Sequence, residues 1–415
     1  MFEVLKLLFV KITQIMSIRL FLIFSFFISI SFYGINQDSQ FTTQFKSGIK
    51  VGAERLELYL PKLEGKRVGV VANQTSIVGS SHLVDSLLSL GISVKKVFSP
   101  EHGFRGTASA GEHVRSSKDI KTGLPIVSLY GSNKKPTVSQ LQDLDILIFD
   151  IQDVGARFYT YISTLHYVME AAAENKLEVI VLDRPNPNGF YVDGPVLKNG
   201  FESFVGMHPI PVVHGLTVGE LATMINGENW LKNKVQCKLT VVSCENYSHS
   251  DFYELPVPPS PNLPNMSSIY LYPSLCFFEG TSVSVGRGTE LPFQVIGSPF
   301  IDSGSYEFVP KSTIGAAHPK HENKQCVGYN LSLFGLLYVR NTRGLYLHWL
   351  VGMNEKTTGT FLTRPDFFDK LAGTDELRKQ LENKSSIQSI KQSWEKELNS
   401  YKIMRSKYLL YPDFE

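Results

Sequence analysis

The sequence lacks a marked excess of either charge. Its 41 Lys and Arg residues stand against 39 Asp and Glu residues, which gives a net charge of +2. The basic residues are scattered, and basic runs are short, such as the Lys-Lys pairs at 95–96 and 134–135. Nucleic-acid binding needs a concentrated basic surface. We therefore expect no nucleic-acid partner.

Cysteine is also scarce, and common cofactor and metal motifs are absent. No G-x-G-x-x-G follows the first predicted strand, no G-x-x-x-x-G-K-[ST] occurs, and "GRGTE" at 286–290 is only a weak glycine loop. The sequence contains no H-E-x-x-H, H-x-x-E-H or G-x-S-x-G motif. We expect no cofactor, no metal ion and no serine nucleophile. The four cysteines have no metal-ligand spacing: Cys237, Cys244, Cys276 and Cys326.

The N-terminal segment has the pattern of an export signal. Arg19 precedes "LFLIFSFFISISFYG", an apolar core of about fifteen residues that is short for a transmembrane helix and typical of a signal peptide. We predict a signal peptide over residues 1–36, and a periplasmic or secreted protein without a stable membrane span after processing. The alternative is an uncleaved anchor, if the apolar residues 7–10 join the core.

Short apolar segments alternate with helical segments from about residue 66 to 245. Helical spacing or caps occur at 81–91, at 157–176 and from Thr217, where "TVGE" forms a capping box with Glu220. This alternation predicts an α/β fold with a doubly wound, mostly parallel sheet. The predicted strands are "RVGVVAN" (67–73), "VKKVFSPE" (94–101), "LPIVSLYG" (124–131), "LDILIFDIQD" (144–153) and "LEVIVLDRPNP" (177–187).

The composition of the sequence changes near residue 255. "LPVPPSPNLPN" has five prolines in eleven residues, which excludes a helix or a core strand. We therefore predict a catalytic domain over 45–250 and a smaller α+β domain over 251–415 that closes the cleft. In the second domain, residues 268–297 have β-like and glycine-rich turn character, and residues 375–411 are mostly helical.

Polar residues follow the predicted strands where each of them ends. In an open parallel sheet, ligands bind at the carboxyl ends of the strands, so we expect these side chains to form one crevice. With other chemistries set aside, paired carboxylates remain, one as general acid and one as base, nucleophile or electrostatic partner. The strand-end residues are Asn73, Gln74, Glu101, His102, Asp150, Gln152, Asp153, Asp183 and Arg184, and Arg157, Tyr159 and Tyr161 follow with groups suited to sugars.

Several long motifs resemble the bacterial exo-β-N-acetylmuramidase family, once a domain of unknown function. They include "SPEHGFRG…AGEHV", "FDIQDVGARFYTYISTL", "VLDRPNPNG", "PSPNLPN" and "EGTSVSVGRGTELPFQVIG", and the similarity spans about 50 to 410. The resemblance implies an exported enzyme that releases N-acetylmuramic acid from the non-reducing ends of peptidoglycan fragments. It also implies a Rossmann-like domain, a smaller C-terminal domain, and a site between them.

The resemblance further implies that Glu101 in "SPEHG" is the catalytic glutamate, most plausibly the general acid. His102 either shares the proton or orients Glu101, or only caps the loop. The second carboxylate is left open between Asp150 and Asp153 of the sheet and Glu290 across the cleft. Further options for it are Glu279 and Glu112.

Muramic acid carries a lactyl carboxylate, for which an arginine fork is the best partner. Arg287 or Arg157 is the predicted fork, with Arg105 also inside a family motif. Direct inversion, a covalent intermediate and participation of the 2-acetamido group all stay open. The alternative functions are a non-catalytic peptidoglycan-binding protein of the envelope and a hydrolase of another bond in the polymer. Predicted substrate-binding residues are Asn73, Gln152, Arg157, Tyr159, Arg287 and Glu290.

Overall fold

The computed structural model describes residues 44–101, 103–105 and 117–415. The predicted signal peptide, His102 and Glu112 lie outside these ranges. Residues 44–415 belong to one compact unit. Among the described helices, none is both long enough and apolar enough to cross a membrane.

The main sheet has seven strands within the described part of the chain, in the order β5-β6-β4-β1-β7-β8-β9. All neighbours pair in parallel except β5 and β6. Numbered in chain order, the six parallel strands follow 3-2-1-4-5-6, the Rossmann arrangement. The predicted doubly wound, mostly parallel sheet is confirmed. The strands of this sheet are β1 (Val68–Ala72), β4 (Val94–Ser99), β5 (Ser117–Lys118), β6 (Pro125–Ser128), β7 (Ile146–Asp150), β8 (Glu178–Leu182) and β9 (Lys238–Val242). Two short strands, β2 (Ile77–Val78) and β3 (Ser81–His82), form a separate hairpin.

Both faces of this sheet are buried, which explains its continuous apolar strands. In β7, Ile146 and Ile148 belong to one hydrophobic cluster, whereas Leu147 and Phe149 belong to the other. Alternate side chains of a strand point to opposite faces, so helices must cover both sides. These helices are α1 (Leu56–Leu63), α2 (Leu83–Ser89), α3 (Val138–Leu141), α4 (Tyr161–Glu174) and α5 (Val218–Gly227).

The predicted capping box at the start of α5 is confirmed. The Glu220 amide donates to Thr217 Oγ1 at 3.2 Å, and the Thr217 amide donates to Glu220 Oε2 at 2.8 Å. The two residues thus satisfy two amides that have no partner inside the helix.

The second half of the chain is the smaller part and has an α+β architecture, as predicted. Its described strands β10 (Val295–Ser298), β11 (Tyr306–Phe308) and β12 (Cys326–Asn330) pair antiparallel in the order β10-β12-β11. The helices are α6 (Met266–Leu275), α7 (Ser332–Phe334), α8 (Arg340–Thr342), α9 (His348–Lys356), α10 (Pro365–Ala372), α11 (Glu376–Glu382) and α12 (Ile387–Arg405), with a π-helical turn at Gly335–Val339 between α7 and α8 and a 3-10 helix at Cys276–Gly280.

One local prediction is wrong: the β-like segment that begins at residue 268 starts inside helix α6. All ten residues of α6 are buried, so apolar residues occur on every side and no helical period is visible. Asn265 caps this helix by accepting from the Ser268 amide at 3.1 Å. The proline-rich residues 255–265 contain neither helix nor strand, as predicted.

The C-terminal end of the chain returns to the main sheet. Tyr411 donates to Asp183 Oδ2 at 2.6 Å, and Tyr401 donates to the His214 carbonyl at 2.6 Å. These contacts join the last residues to the first half, and the domain division at 250/251 stays a prediction. All four cysteines are described, and each is a buried free thiol.

Candidate active site

A cleft opens beyond the carboxyl ends of β4 and β6. It comprises a larger cavity of about 910 Å3 and a smaller one of about 80 Å3. Both halves of the chain contribute to its walls. Five residues line both cavities and therefore mark where they join: Glu101, Phe158, Thr160, Tyr272 and Arg287.

Glu101 follows β4, and the side chains of Tyr130 and Tyr161 lie near its carboxyl group. Tyr130, which follows the neighbouring strand β6, is hydrogen-bonded to Glu101. Burial, and then the charge of Glu101 and this hydrogen bond, raise the pKa of Tyr130. Burial followed by Glu101 also raises the pKa of Tyr161. These tyrosines therefore stay protonated, and Tyr130 lines the larger cavity whereas Tyr161 lines the smaller one.

The proline-rich segment forms one wall of the smaller cavity. Tyr159 and Tyr161 both donate to the Pro259 carbonyl, at 2.9 and 3.3 Å. Gln74 Nε2 donates to the same carbonyl at 3.1 Å and to that of Pro258 at 3.2 Å. These bonds fix the segment against the end of the sheet. Consequently Ser260, Asn262 and Leu263 line the smaller cavity beside Tyr159.

Asp150 does not line the cleft. Its Oδ1 and Oδ2 accept from Arg184 Nε and Nη2 at 2.6 and 2.9 Å, and both side chains are almost completely buried. The carboxylate thus neutralises an interior cation, and the prediction that Asp150 acts on substrate is not supported by its position.

Asn73 and Gln152 also lie in the interior. Asn73 Oδ1 accepts from the Thr75 amide and hydroxyl at 2.9 and 2.6 Å. Gln152 Nε2 donates to the carbonyls of Asp153 and Pro185, both at 2.8 Å. These bonds stabilise turns after β1 and β7. Neither residue lines the cleft, although both were predicted to bind substrate.

Asp153 lies one layer behind the aromatic wall. Its Oδ2 accepts from the Gly155 amide at 2.7 Å and lies 3.7 Å from His214 Nε2. Asp153 is a minor cause of the raised pKa of Tyr159, which is due first to burial. Asp153 therefore lines neither cavity, and its position does not support the prediction that it is a catalytic carboxylate.

Arg157 is fully buried and lines neither cavity, so its position does not support the prediction that it binds substrate. Its Nη1 donates to the carbonyls of Pro195 and Ile210 at 2.8 and 2.7 Å, and its Nη2 donates to Leu371 at 3.0 Å. Burial lowers the pKa of Arg157 to about 9, so the group remains a cation at neutral pH. It joins three segments of the chain.

Two further candidates also lie away from the cleft lining. Glu290 is exposed. Arg105 pairs with Asp119 at 2.8 Å and with Asp85 at 3.5 Å. Of the predicted contact residues, the structure therefore brings Glu101, Tyr159 and Arg287 to the cleft, together with the further option Glu279.

The wall contributed by the second half of the chain is cationic. Arg287, Lys320 and Arg364 line the larger cavity together with Glu279. Arg287 Nε donates to Glu279 Oε1 at 2.6 Å. Sequence reasoning missed Lys320 and Arg364, because they lie on loops without a recognisable motif. It also missed Tyr130, for which a signal was present, since it follows a predicted strand.

The fold and the cleft define the class of protein. A Rossmann-type sheet presents a carboxyl group at a strand end, and tyrosines and cations surround it. This arrangement is that of an α/β protein with a cleft suited to a polar, anionic ligand at the carboxyl ends of the strands.

Comparison with known proteins narrows this class to a family. The family model "Exo-beta-N-acetylmuramidase NamZ, N-terminal" matches residues 68–267, and "Exo-beta-N-acetylmuramidase NamZ, C-terminal" matches residues 270–411. The peptidoglycan beta-N-acetylmuramidase NamZ of Bacillus subtilis is 39% identical, over 94% of this chain and 99% of that protein. The chain belongs to the exo-β-N-acetylmuramidase family, and is thus a glycoside hydrolase.

Two solved structures share the fold. A crystal structure of a DUF1343 family protein from Bacteroides fragilis is 47% identical, with a TM-score of 0.81, and covers 88% of this chain and 100% of its own. A second DUF1343 family protein from the same organism is 31% identical, with a TM-score of 0.73, and covers 88% and 99%. These structures support the two-part α/β architecture.

Proposed function

We propose that this protein is an exo-lytic hydrolase that releases N-acetylmuramic acid from the non-reducing ends of peptidoglycan fragments, with Glu101 as the general acid. The observation that carries the proposal is the position of Glu101. It lies where the two cavities join, next to Tyr130 and in the same lining as Arg287. The family membership supplies the sugar and the exo-lytic mode.

In this mechanism the Glu101 carboxyl gives its proton to the glycosidic oxygen while the bond from that oxygen to the anomeric carbon breaks. The aglycone leaves with that proton as an alcohol, water adds to the anomeric carbon, and the proton that the water loses restores the carboxyl group of Glu101 through the solvent before the free sugar leaves. Proton transfer by a positioned carboxyl group contributes about 10²–10⁴-fold to the rate of such a step. The hydrogen bond with Tyr130 orients the carboxyl group of Glu101 in the cleft.

Arg287 is the group proposed to bind the lactyl carboxylate. Its Nε is engaged by Glu279, and its guanidinium carbon lies 4.9 Å from the centre of the Phe293 ring. Within the described chain, its two Nη atoms have no hydrogen-bond partner. A guanidinium fixed on one edge and open on the other suits a two-point contact with a carboxylate.

A chromogenic β-glycoside of N-acetylmuramic acid tests the proposal. We expect the wild-type protein to release the chromophore, and Glu101→Gln to lower kcat by at least about 100-fold with an unchanged far-UV circular dichroism spectrum. Glu254→Gln is the matched control, because Glu254 is exposed and outside the cleft lining. Near-normal activity of Glu101→Gln would remove Glu101 as the acid.

The alternative, a non-catalytic binding protein, predicts a different result with defined muropeptides. Mass spectrometry would then recover them intact after incubation, although they bind. Export is a further part of the proposal, supported by the N-terminal sequence. Cell fractionation tests it, and an unprocessed cytoplasmic product would contradict it.

A further inference from the structure

The backbone at Arg287 is fixed by two glycines. Gly286 and Gly288 have φ values of +77° and +80°, in the left-handed region that favours glycine. A Cβ at Gly286 would lie 2.5 Å from Val295 Cγ2, and one at Gly288 would lie 2.6 Å from Pro319 Cγ. The turn therefore packs directly against the residue that precedes Lys320. This contact connects the Arg287 turn to the Lys320 loop.

The ammonium group of Lys320 is hydrogen-bonded to backbone carbonyls. Its Nζ donates to the carbonyls of Phe278, Thr281 and Val283 at 2.8, 2.6 and 3.1 Å. Three donors thus meet three acceptors, which is the full capacity of an ammonium group. These carbonyls belong to the end of the 3-10 helix Cys276–Gly280 and the residues after it, so the ammonium group fixes the segment that carries Glu279.

Glu279 in turn fixes the guanidinium of Arg287. Burial opposes its ionisation, but the charges of Arg287 and Lys320, together with the Arg287 hydrogen bond and Arg364, hold the pKa of Glu279 below its usual range. The carboxylate is therefore ionised at neutral pH. It occupies Arg287 Nε at 2.6 Å and leaves the Nη edge toward the cavity.

The charges of this wall do not balance. Arg287, Lys320 and Arg364 carry three positive charges, and Glu279 carries one negative charge, which leaves a net charge of +2 on these four residues. A partly enclosed cleft with a net positive charge attracts anions and raises their local concentration. The lactyl carboxylate is the anionic group of the proposed substrate.

We propose that Glu279 and Lys320 are positioning residues, which together orient Arg287 for the lactyl carboxylate and so set the preference for muramic acid. The proposal rests on the proposed function of Arg287. It assigns Glu279 to substrate orientation and removes it from the candidates for the second carboxylate. In the same way, it gives Lys320 a role that no motif in the sequence indicates.

The test compares two ligands that differ in one charge: N-acetylmuramic acid and its lactyl amide. Calorimetry gives the dissociation constant of each, and their ratio measures recognition of the carboxylate. We expect wild-type protein to prefer the acid by about tenfold or more, as for a charge-assisted fork. Glu279→Gln and Lys320→Met should reduce the ratio at least about threefold. The amide's dissociation constant should change little, because its other contacts remain.

The pH dependence of the ratio separates orientation from mere folding. Burial, outweighing the nearby Glu279 and reinforced by Arg364 and Arg287, lowers the pKa of Lys320 to about 8. The ammonium form predominates below that pH, so the preference for the acid should decline as pH rises through 8. Lys320→Arg keeps its charge to higher pH and should flatten this decline.

Four results would overturn the proposal or its basis, and they are distinguishable. An unchanged ratio in Glu279→Gln together with a collapsed kcat would make Glu279 catalytic instead. A pH-independent wild-type ratio would remove Lys320 as a charged positioning group. Wild-type protein that cleaves the chromogenic glycoside but binds acid and amide equally would contradict the role of Arg287 alone. A wild-type protein that cleaves no muramic acid glycoside would contradict the proposed function itself.

Discussion

Replacing Asp150 with Asn should unfold the protein more readily without removing the chemistry. Asp150 and Arg184 form a two-point ion pair at 2.6 and 2.9 Å, and the two side chains are 0% and 2% exposed. Asn keeps the volume but presents an NH2 group to one of the guanidinium donors. Arg184 then remains buried without a compensating charge. Breaking a buried pair in this way costs about 3–5 kcal/mol.

The matched control lies at the other end of the same strand. Asp145 directly precedes β7 and makes a two-point contact with Arg67, at 2.8 and 3.1 Å, but both groups are solvent-accessible. Water replaces the lost contact there, so Asp145→Asn should lower the free energy of unfolding much less. Burial is the principal difference between the two pairs.

Urea unfolding followed by circular dichroism gives both free energies, with kcat measured per folded molecule. We expect Asp150→Asn to lose about 3–5 kcal/mol and to keep a kcat near that of the wild type, since Asp150 does not line the cleft. Such a loss is large against the 5–15 kcal/mol typical of folded domains. A variant as stable as the wild type but inactive would refute the reasoning and restore Asp150 as a catalytic candidate.

Three further substitutions test the site and its supports. Arg157→Met removes the donors to three interior carbonyls; the free energy of unfolding should fall by about 3 kcal/mol or more in urea titrations. Tyr130→Phe removes the phenol that is hydrogen-bonded to Glu101; the loss of this bond, about 1 kcal/mol, should lower kcat for the chromogenic glycoside by about fivefold in steady-state assays. Gly288→Ala adds a Cβ 2.6 Å from Pro319 and should raise KM for the muramic acid glycoside. Gly65→Ala, also at positive φ but with no atom within 4 Å, isolates the backbone cost and should leave KM unchanged.

Sequence patterns predicted the sheet well because its strands are buried on both faces. A continuous apolar run that ends in polar residues identifies such a strand without knowledge of its neighbours. The pattern failed for α6, where burial on every side removes the helical period. It also gave no indication of β9, whose residues Lys238–Val242 are mostly half-buried at the sheet edge.

The same patterns placed polar residues at one edge of the sheet but did not separate the cleft from the interior. Asp150 and Arg184 end neighbouring parallel strands and have opposite charges, so an ion pair was a competing interpretation that the sequence already contained. Lys320 and Arg364 were beyond reach, since their positions depend on how separate loops pack. Arg157 has the residue type of a substrate ligand, and only its burial reveals its structural function.

The position of the cleft follows from what fills the usual ligand site of this fold. In the 3-2-1-4-5-6 arrangement, the topological switch point lies between β1 and β7, and nucleotides bind there. Here the Asp150–Arg184 pair lies at that point, and Gln74 fixes the proline-rich segment beside it. The open ends of β4 and β6 remain, where Glu101 and Tyr130 are found.

Because the cleft lies at the ends of β4 and β6, the two halves of the chain contribute different groups to it. The sheet carries Glu101, the proposed acid, after a strand held by parallel pairing, whereas the second half contributes Arg287 and Lys320 on loops and Glu279 on the 3-10 helix Cys276–Gly280. Because the two sets are carried by different elements, a change in the loops should alter which anion is preferred while proton transfer continues. A change at Glu101 should stop the reaction for every substrate. The ratio of dissociation constants and the value of kcat are therefore independent measurements of the two halves.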